Sequence, residues 1–450
     1  MAIIRDRDLI PDLNDIPVKL ITSCIKEHQK DIPRMQKLDE YYRGKHEILN
    51  RNIDSQTDLP NNKLVANHAK YITDIAVGYV TGNPIKYEGD KIDDIIQTYE
   101  EIDIVSHDAE LSKKLSVFGG GLELYFMSSD DIPIPKVTAI DPRQIFLVVD
   151  DTVEYKSLFG VHYYEKKDTD NNPIGWKVNV YTKDRIVRYE GKSLNDFEIV
   201  AIEDQYFGGV PIVEFWNNEE MQGDFEQQIS LIDAYNLLQS DRVNDKEQLV
   251  DAILKIKGMS LGDDEKEASQ TIKLLKKYKV LEMPESEADA DWLTKQLNET
   301  EVEVLKKAIK SDIHEFSMVP DLTDENFASQ ASGIAMKYKV FGLEQLAKTK
   351  ERWFVQGLRE RLKLFANILT VKGKSVDVAG TKITMTRSLP ANDLEASQMI
   401  NNLSGKVSNQ TLISQLSFVH NASEENDKVN AENADKVKRD QAAFSIPMVN

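Results

Sequence analysis

One stretch limits how this chain can fold more than any other: residues 319–369, VPDLTDENFASQASGIAMKYKVFGLEQLAKTKERWFVQGLRERLKLFANIL. It reads as a short polar loop running into a very long helix. Ser332 is placed to cap that helix. Ile334, Tyr338, Phe341, Leu346, Trp353, Leu358, Leu362, Phe365 and Leu369 then recur at helical spacing, predicting about 55 Å of helix at 1.5 Å per residue. Compact domains seldom contain so long an element. Gly342 and Gly357 lie inside it, each costing about 1 kcal/mol against Ala in a helix interior, and they are the expected bend points. A long, bendable helix entered through a loop points to a mechanical or assembly role before it points to catalysis.

The rest of the chain supplies elements that need partners. Residues 224–257 predict a second helix of about 50 Å with no internal Gly or Pro, and Phe225, Ile229, Ile232, Tyr235, Leu238, Leu249, Ala252, Ile253 and Ile256 form its broken apolar stripe. Gly258 ends it. Residues 259–298 then read as a small module: a charged helix at 263–278, a strand at 280–283, an acidic loop at 284–291 and a short run at Trp292 and Leu293. So few residues make a poor independent core, so neighbouring copies are expected to help it fold. A helix over 299–316, with Val302, Leu305, Ile309, Ile313 and Phe316 on one side, returns the chain to the opening loop.

The N-terminal half changes texture along its length. Residues 18–42, 64–79 and 92–115 have helical patterns, whereas 158–164, 176–181, 185–189 and 197–202 are strand-like runs separated by turn residues, predicting an antiparallel meander. A last strand is expected at 213–216, beyond Gly208, Gly209 and Pro211. After Leu369, SVDVAG and KITMTRS suggest a hairpin turned at Gly380 and Thr381. The tail from 389 reads as short helices, with its last ten to twenty residues expected to lack order. The fold class is α+β.

Signals of enzymatic chemistry are missing. There is no GxxxxGK[ST] or GxGxxG, and Gly119, Gly120 and Gly121 precede a strand-like run instead of opening a helix, so they read as a packing turn. The turn at 168–175 imitates a calcium loop at Asp168, Asp170 and Asn172 but has Pro173 at the sixth position and Asn179 at the twelfth. Seven histidines, at 28, 46, 68, 107, 162, 314 and 420, form no metal motif, and no GxSxG elbow occurs. The single Cys24 cannot form an intrachain disulfide and is expected in the core. No enzyme activity, cofactor or metal is expected. The competing reading is an α/β enzyme fused to a helical oligomerisation region.

With 450 residues, 41% of them hydrophobic, the chain can bury the cores of two to four domains. No apolar run approaches the length of a membrane span and charge begins at Arg5, so a soluble intracellular protein without a secretory signal is expected. The formal net charge of −20 argues against tight gripping of nucleic acid, which relies on cations neutralising phosphates. It is compatible with a surface past which nucleic acid slides.

Six segments in order resemble the tailed-phage portal family, in the group related to the portal of phage SPP1. They are YYRGKHEIL at 41–49, NNKLVANHAKYITDIAVGYVTGNPI at 61–85, IDPRQIFLVVDD at 140–151, GVPIVEFWNN at 209–218, LIDAYNLLQSDRVNDKEQLVDAIL at 231–254 and ASGIAMKYK at 331–339. The resemblance implies a ring of about twelve subunits at one capsid vertex, through which double-stranded DNA is packaged and later ejected. It further implies a wing over 1–223, stem helices at 224–258 and 299–318, a clip at 259–298, a tunnel loop at 319–331, a long wing helix with a β-hairpin at 332–388, and a helical crown and tail at 389–450. The tunnel-loop residues toward DNA would be Asp321, Thr323, Asp324, Glu325, Asn326, Phe327, Ser329 and Gln330, an acidic set without Lys or Arg. Lys306, Lys307 and Lys310 are candidates for the channel-facing side of the stem, although solvation or pairing with acids is the commoner fate of such lysines. Implied partners are the terminase, head-completion or adaptor proteins, and the capsid and scaffolding proteins, with no membrane. The implied location is the virion, reached from the host cytoplasm during assembly.

Overall fold

The computed structural model describes residues 2–10, 12–52, 60–250, 253–257, 264–278, 289–293, 299–323, 338–388, 393–413, 416, 419 and 422–444. A six-stranded sheet organises the N-terminal half. Strand β1 (Ile3–Arg5) runs parallel to β5 (Ile145–Asp150). From β5 the meander expected from the sequence continues antiparallel through β6 (Ser157–Lys167), β7 (Pro173–Tyr181), β8 (Arg185–Ser193) and β9 (Asp196–Asp204). Every residue of β5, IFLVVD, is buried. Phe146 and Val148 pack with Ile21, Cys24 and Ile25 of helix α1 (Val18–His28), while Ile145, Leu147 and Val149 face the opposite way. Their partners there are Leu122 and Ile212 of a second sheet, ordered β10 (Ile212–Trp216), β3 (Gly120–Met127), β4 (Pro135–Ile140). A strand with apolar neighbours on both faces has no reason to alternate.

The largest core lies between that second sheet and a layer of helices: α2 (Ile32–Tyr42), α3 (His68–Thr81), α4 (Asp93–Glu101) and α5 (Ile104–Phe118). Gly119 ends α5 with a left-handed φ of 85°, and a Cβ there would stand 2.0 Å from the Met221 carbonyl oxygen. The glycine run is thus a turn and a close approach, as read from the sequence. Two predicted helices are each divided. The 18–42 pattern breaks between α1 and α2, and the 92–115 pattern breaks at Asp103, whose φ of 51° reverses the chain while its carboxylate caps α5.

Helix α6 (Ile229–Val250) corrects the expectation for 224–257. Residues Ile253–Lys257 are strand β11, antiparallel to β12 (Asp289–Leu293), with Ile253 opposite Leu293 and Lys257 opposite Asp289. The segment ILKIK alternates and carries β-branched residues, so a partner strand outcompetes the helix. Between these strands, α7 (Glu265–Tyr278) is described, whereas the strand expected at 280–283 lies outside the described residues. Helix α8 (Glu299–Ser317) packs along α6 as expected.

The long helix, α9 (Phe341–Val371), has 31 residues and spans about 46 Å. Its expected start at Ser332 lies outside the described residues. The hairpin expected after it is not formed: β13 (Lys382–Thr384) pairs antiparallel with β2 (Lys86–Glu88), and 375–379 contains no strand. Pairing between strands so far apart in the sequence leaves no local signature. Helices α10 (Asp393–Leu403), α11 (Asn409–Ile413) and α12 (Ala422–Phe444) form the tail, the last of them extending into the part expected to lack order.

Candidate functional site

The structural junction of the molecule is where α6, α8 and α9 meet α3 and α5. Helix α6 turns a polar row inward: Asn236, Ser240 and Asn244, spaced by four and all buried. Their side-chain oxygens accept the backbone N–H groups of Ala66 at 2.8 Å, Leu64 at 3.0 Å and Asn62 at 2.7 Å. One helical turn plus a fraction, about 6.0 Å over four residues, nearly matches two residues of extended chain at about 6.6 Å, which is why the ladder stays in register. The extended segment before α3 is therefore bonded along the helix as it would be along a strand. Asn236 Nδ2 also reaches His46 Nδ1 at 2.8 Å, and Arg51 pairs with Asp241 at 2.6 Å.

At the end of α8 the chain enters the expected tunnel loop, of which Val319–Thr323 is described. Val319 is buried, and its carbonyl oxygen lies 2.9 Å from His314 Nδ1. The Tyr71 hydroxyl of α3 donates to the Pro320 carbonyl at 3.2 Å and accepts the Leu322 N–H at 2.8 Å. Asp321 meets Lys310 of α8 at 2.5 Å and accepts the Thr323 hydroxyl at 2.6 Å. Partial burial opposes ionisation of Asp321, but Lys310 and Thr323 outweigh it and hold the carboxyl at about 2. His68, the first residue of α3, is edge-on to Tyr235 and His314 with ring centroids at 5.0 and 5.6 Å. Burial, helped by His314 and Lys310, pushes His68 down to about 4.

Helix α9 is fastened to this junction by two buried cations. Lys350 and Arg361 are eleven residues apart, which returns them to within about 20° on the helix surface and separates them by about 16 Å. The Lys350 ammonium lies 2.6 Å from Asp224 and 2.6 Å from the Ser116 hydroxyl, while Asn217 Nδ2 donates to the same carboxylate at 2.8 Å. Arg361 bonds Asp108 of α5 at 2.7 Å and grips Glu123 of β3 through both Nε and Nη2. His107 Nε2 at 2.7 Å and the Tyr125 hydroxyl complete the shell around Glu123. One guanidinium faces two buried carboxylates. Burial raises both, but Arg361 and His107 carry Glu123 below the ordinary carboxylate range, while burial and the Glu123 charge leave Asp108 above it. His107, Asp108 and Glu123 place donor atoms within 4.8 Å of one another, as a metal site requires, yet Arg361 already supplies the positive charge there.

The sequence-predicted residues fall in different places. Asp321 and Thr323 are in the clamped base of the loop, whereas Asp324, Glu325, Asn326, Phe327, Ser329 and Gln330 lie outside the described residues. Lys306 pairs with Glu303 at 3.0 Å and Lys310 with Asp321, while Lys307 is exposed. Gly342 stands in the first turn of α9 rather than its interior. Gly357 is interior, but a Cβ there would lie 2.4 Å from Phe215 Cδ1, so close packing accounts for it. The buried face of α9 runs through Leu343, Ala347, Lys350, Phe354, Leu358, Arg361 and Phe365, and Tyr338 and Phe341 of the predicted stripe are exposed. Sequence reading missed Lys350 and Arg361. The available signal was a 4-3-4 apolar spacing that closes only when these two cations are counted as inward positions.

Residues 21–439 match the family model described as phage portal protein, SPP1 Gp6-like. A portal protein of Clostridium phage phiCD119 is 24% identical over 384 residues, covering 79% of this chain and 82% of the relative. The portal protein of Bacillus phage SPP1 is 22% identical over 374 residues, covering 79% and 73%. Among solved structures, the neck of an empty gene transfer agent particle aligns with 76% of this chain and 88% of its own at 14% identity and a TM-score of 0.41. The neck of the native particle aligns with 78% and 89% at 11% identity and a TM-score of 0.40.

Proposed function

Because the chain belongs to the SPP1 Gp6-like family of phage portal proteins, we propose that copies of it form a ring of about twelve subunits at one capsid vertex, and that double-stranded DNA is packaged and ejected through the centre. The family match across 21–439 carries this reading. Physical features agree with it. Long helices with exposed apolar side chains, such as Val304, Leu305 and Phe316 of α8, gain from burial against neighbouring copies. A chain of net charge −20 gives DNA little to adhere to over a Debye length of about 8–10 Å.

In this reading α6 and α8 are the stem, and the clip begins earlier than the sequence suggested, at β11. The ring is not an enzyme; a separate terminase supplies the packaging energy. The clip receives terminase and then head-completion proteins, and wing and crown meet the capsid and scaffolding proteins. The protein resides in the virion after assembly in the host cytoplasm. Residues 319–331 are the tunnel loop, with its base held by Tyr71, Lys310 and His314 and its outer part directed to DNA. Deleting 324–329 tests this directly, because the clamp at Val319–Thr323 is left intact. Rings should still form, and DNA packaging should fall. Failure of ring assembly would make the segment a packing element and remove the loop from the conduit mechanism.

A further inference from the structure

Lys350 is a buried nucleophile that the ring-and-conduit reading does not use. Among the described residues it is the one buried lysine. Burial lowers its pKa from the ordinary lysine value, even with Asp224 beside it, and so favours the neutral amine, which is the nucleophilic form. Arg361, the other buried cation of α9, keeps its proton and offers no such lone pair.

The groups around the Lys350 amine form a set suited to amide chemistry. Asp224 Oδ2 lies 2.6 Å from Lys350 Nζ, and Asp224 Oδ1 accepts Asn217 Nδ2 at 2.8 Å. One carboxylate therefore holds an amine on one oxygen and a carboxamide on the other. Asn217 is fully buried and fixed in place: its backbone N–H donates to the Gly119 carbonyl at 2.9 Å, and Nδ2 also donates to the Gln222 carbonyl at 2.9 Å. Its Oδ1 has no hydrogen-bond partner among the described residues. The Ser116 hydroxyl, 2.6 Å from Nζ, orients the amine from another side. With the side chains of Lys350 and Asp224 both buried, water does not compete for the amide carbon.

We propose that Lys350 and Asn217 join in an intramolecular isopeptide bond, with Asp224 as the proton carrier. Lys350 gives a proton to Asp224 Oδ2, and its amine lone pair attacks Asn217 Cγ to form the new C–N bond. Asp224, whose other oxygen already faces Nδ2, delivers that proton there. The Cγ–Nδ2 bond then breaks, with its electron pair leaving on nitrogen as ammonia. Asp224 takes the surplus proton from the new amide nitrogen and passes it to the ammonia. In sum, a lysine ammonium and a carboxamide give a secondary amide and an ammonium ion, with no oxidant or co-reactant. The bond would rivet the long helix α9 to the turn between β10 and α6, replacing a charge pair by a covalent link. It forms within one chain and does not depend on the ring.

The test is mass spectrometry of the denatured full-length protein, intact and after digestion. The wild-type chain should be lighter than its sequence by one ammonia, about 17 Da, and its digest should contain two peptides joined from Asn217 to Lys350. Lys350→Arg keeps a cation beside Asp224 without a free amine, and Asp224→Asn removes the proton carrier. Both variants should retain the ammonia and give no joined peptides. The wild-type result decides the matter even if a variant fails to fold. Full sequence mass in the wild type after prolonged incubation overturns the proposal. So does loss of ammonia without joined peptides, which marks a succinimide at an asparagine. Joining to Asp224 with loss of water removes Asn217 as the acceptor, and joined peptides in Asp224→Asn remove Asp224 as the carrier; either overturns the mechanism.

Discussion

Gly357→Ala separates a packing glycine from a bending one by the sign of its effect. In an unobstructed helix interior the substitution stabilises by about 1 kcal/mol, because Ala loses less backbone entropy and extends no contact. At 357 the new methyl would stand 2.4, 2.5 and 2.8 Å from Phe215 Cδ1, Cε1 and Cγ. That ring cannot yield freely: it is fully buried, packs on Phe354 at 5.4 Å between ring centroids, and has the Arg361 guanidinium 5.5 Å from its own centroid. Overpacking costs about 1–3 kcal/mol, and contacts this short against a ring that cannot move take the upper part of that range, so that after the propensity gain the net loss is about 1–2 kcal/mol. Gly342 is the control, since a Cβ there meets Met318 O at an ordinary 3.5 Å. Urea unfolding at fixed protein concentration should move the midpoint down for Gly357→Ala and leave it unchanged or raise it for Gly342→Ala. Phe215→Leu should recover part of the loss when combined with Gly357→Ala. A higher midpoint for Gly357→Ala alone would refute the packing argument and restore the glycine as a point of bending.

Two further predictions concern charge. Arg361→Met leaves the buried carboxylates of Asp108 and Glu123 without their cation and should destabilise by about 3–5 kcal/mol in the same assay; a change below about 1 kcal/mol would mean the cluster is not buried in the assembled protein. His28, His68 and His162 are each pushed by burial to about 4, below the ordinary value of 6.5. A histidine lowered on folding stabilises above its unfolded value and loses that contribution as pH falls from about 6.5 toward 4, because the unfolded chain binds the proton first. The thermal midpoint should fall across that window before the Asp321 pair, with its carboxyl at about 2, is affected. His68→Asn should flatten part of the slope, and an unchanged slope in that variant would show that His68 is not buried neutral.

The meander and helix α8 were legible because their patterns are local: alternation sets strands and a 3.6-residue repeat sets a helix. β11 was misread because Ile253 and Ile256 satisfy a helical stripe as well as a strand, and only its pairing with Asp289–Leu293 decides between them. The β13–β2 pairing, Lys382 opposite Glu88, depends on chain far away and has no local sign. At the candidate site, Asp321 and Lys310 were both singled out, but their mutual bond was not, since it depends on where α8 ends. Lys350 and Arg361 were not singled out, because a solvated cation is the usual case. Their burial is possible only because Asp224, Asp108 and Glu123 arrive from separate elements. The Asn236, Ser240 and Asn244 ladder was hidden for a related reason: polar residues inside a helix normally face water, and these bond an extended segment 170 or more residues earlier.

Electron-microscopic class averages of the purified full-length protein test the central claim most directly. The account predicts rings of about twelve subunits around an open centre, wide at the sheet-bearing end and narrower toward β11 and β12. Particles that remain monomers at every concentration and salt, or that close as small dimers without a central hole, would contradict it.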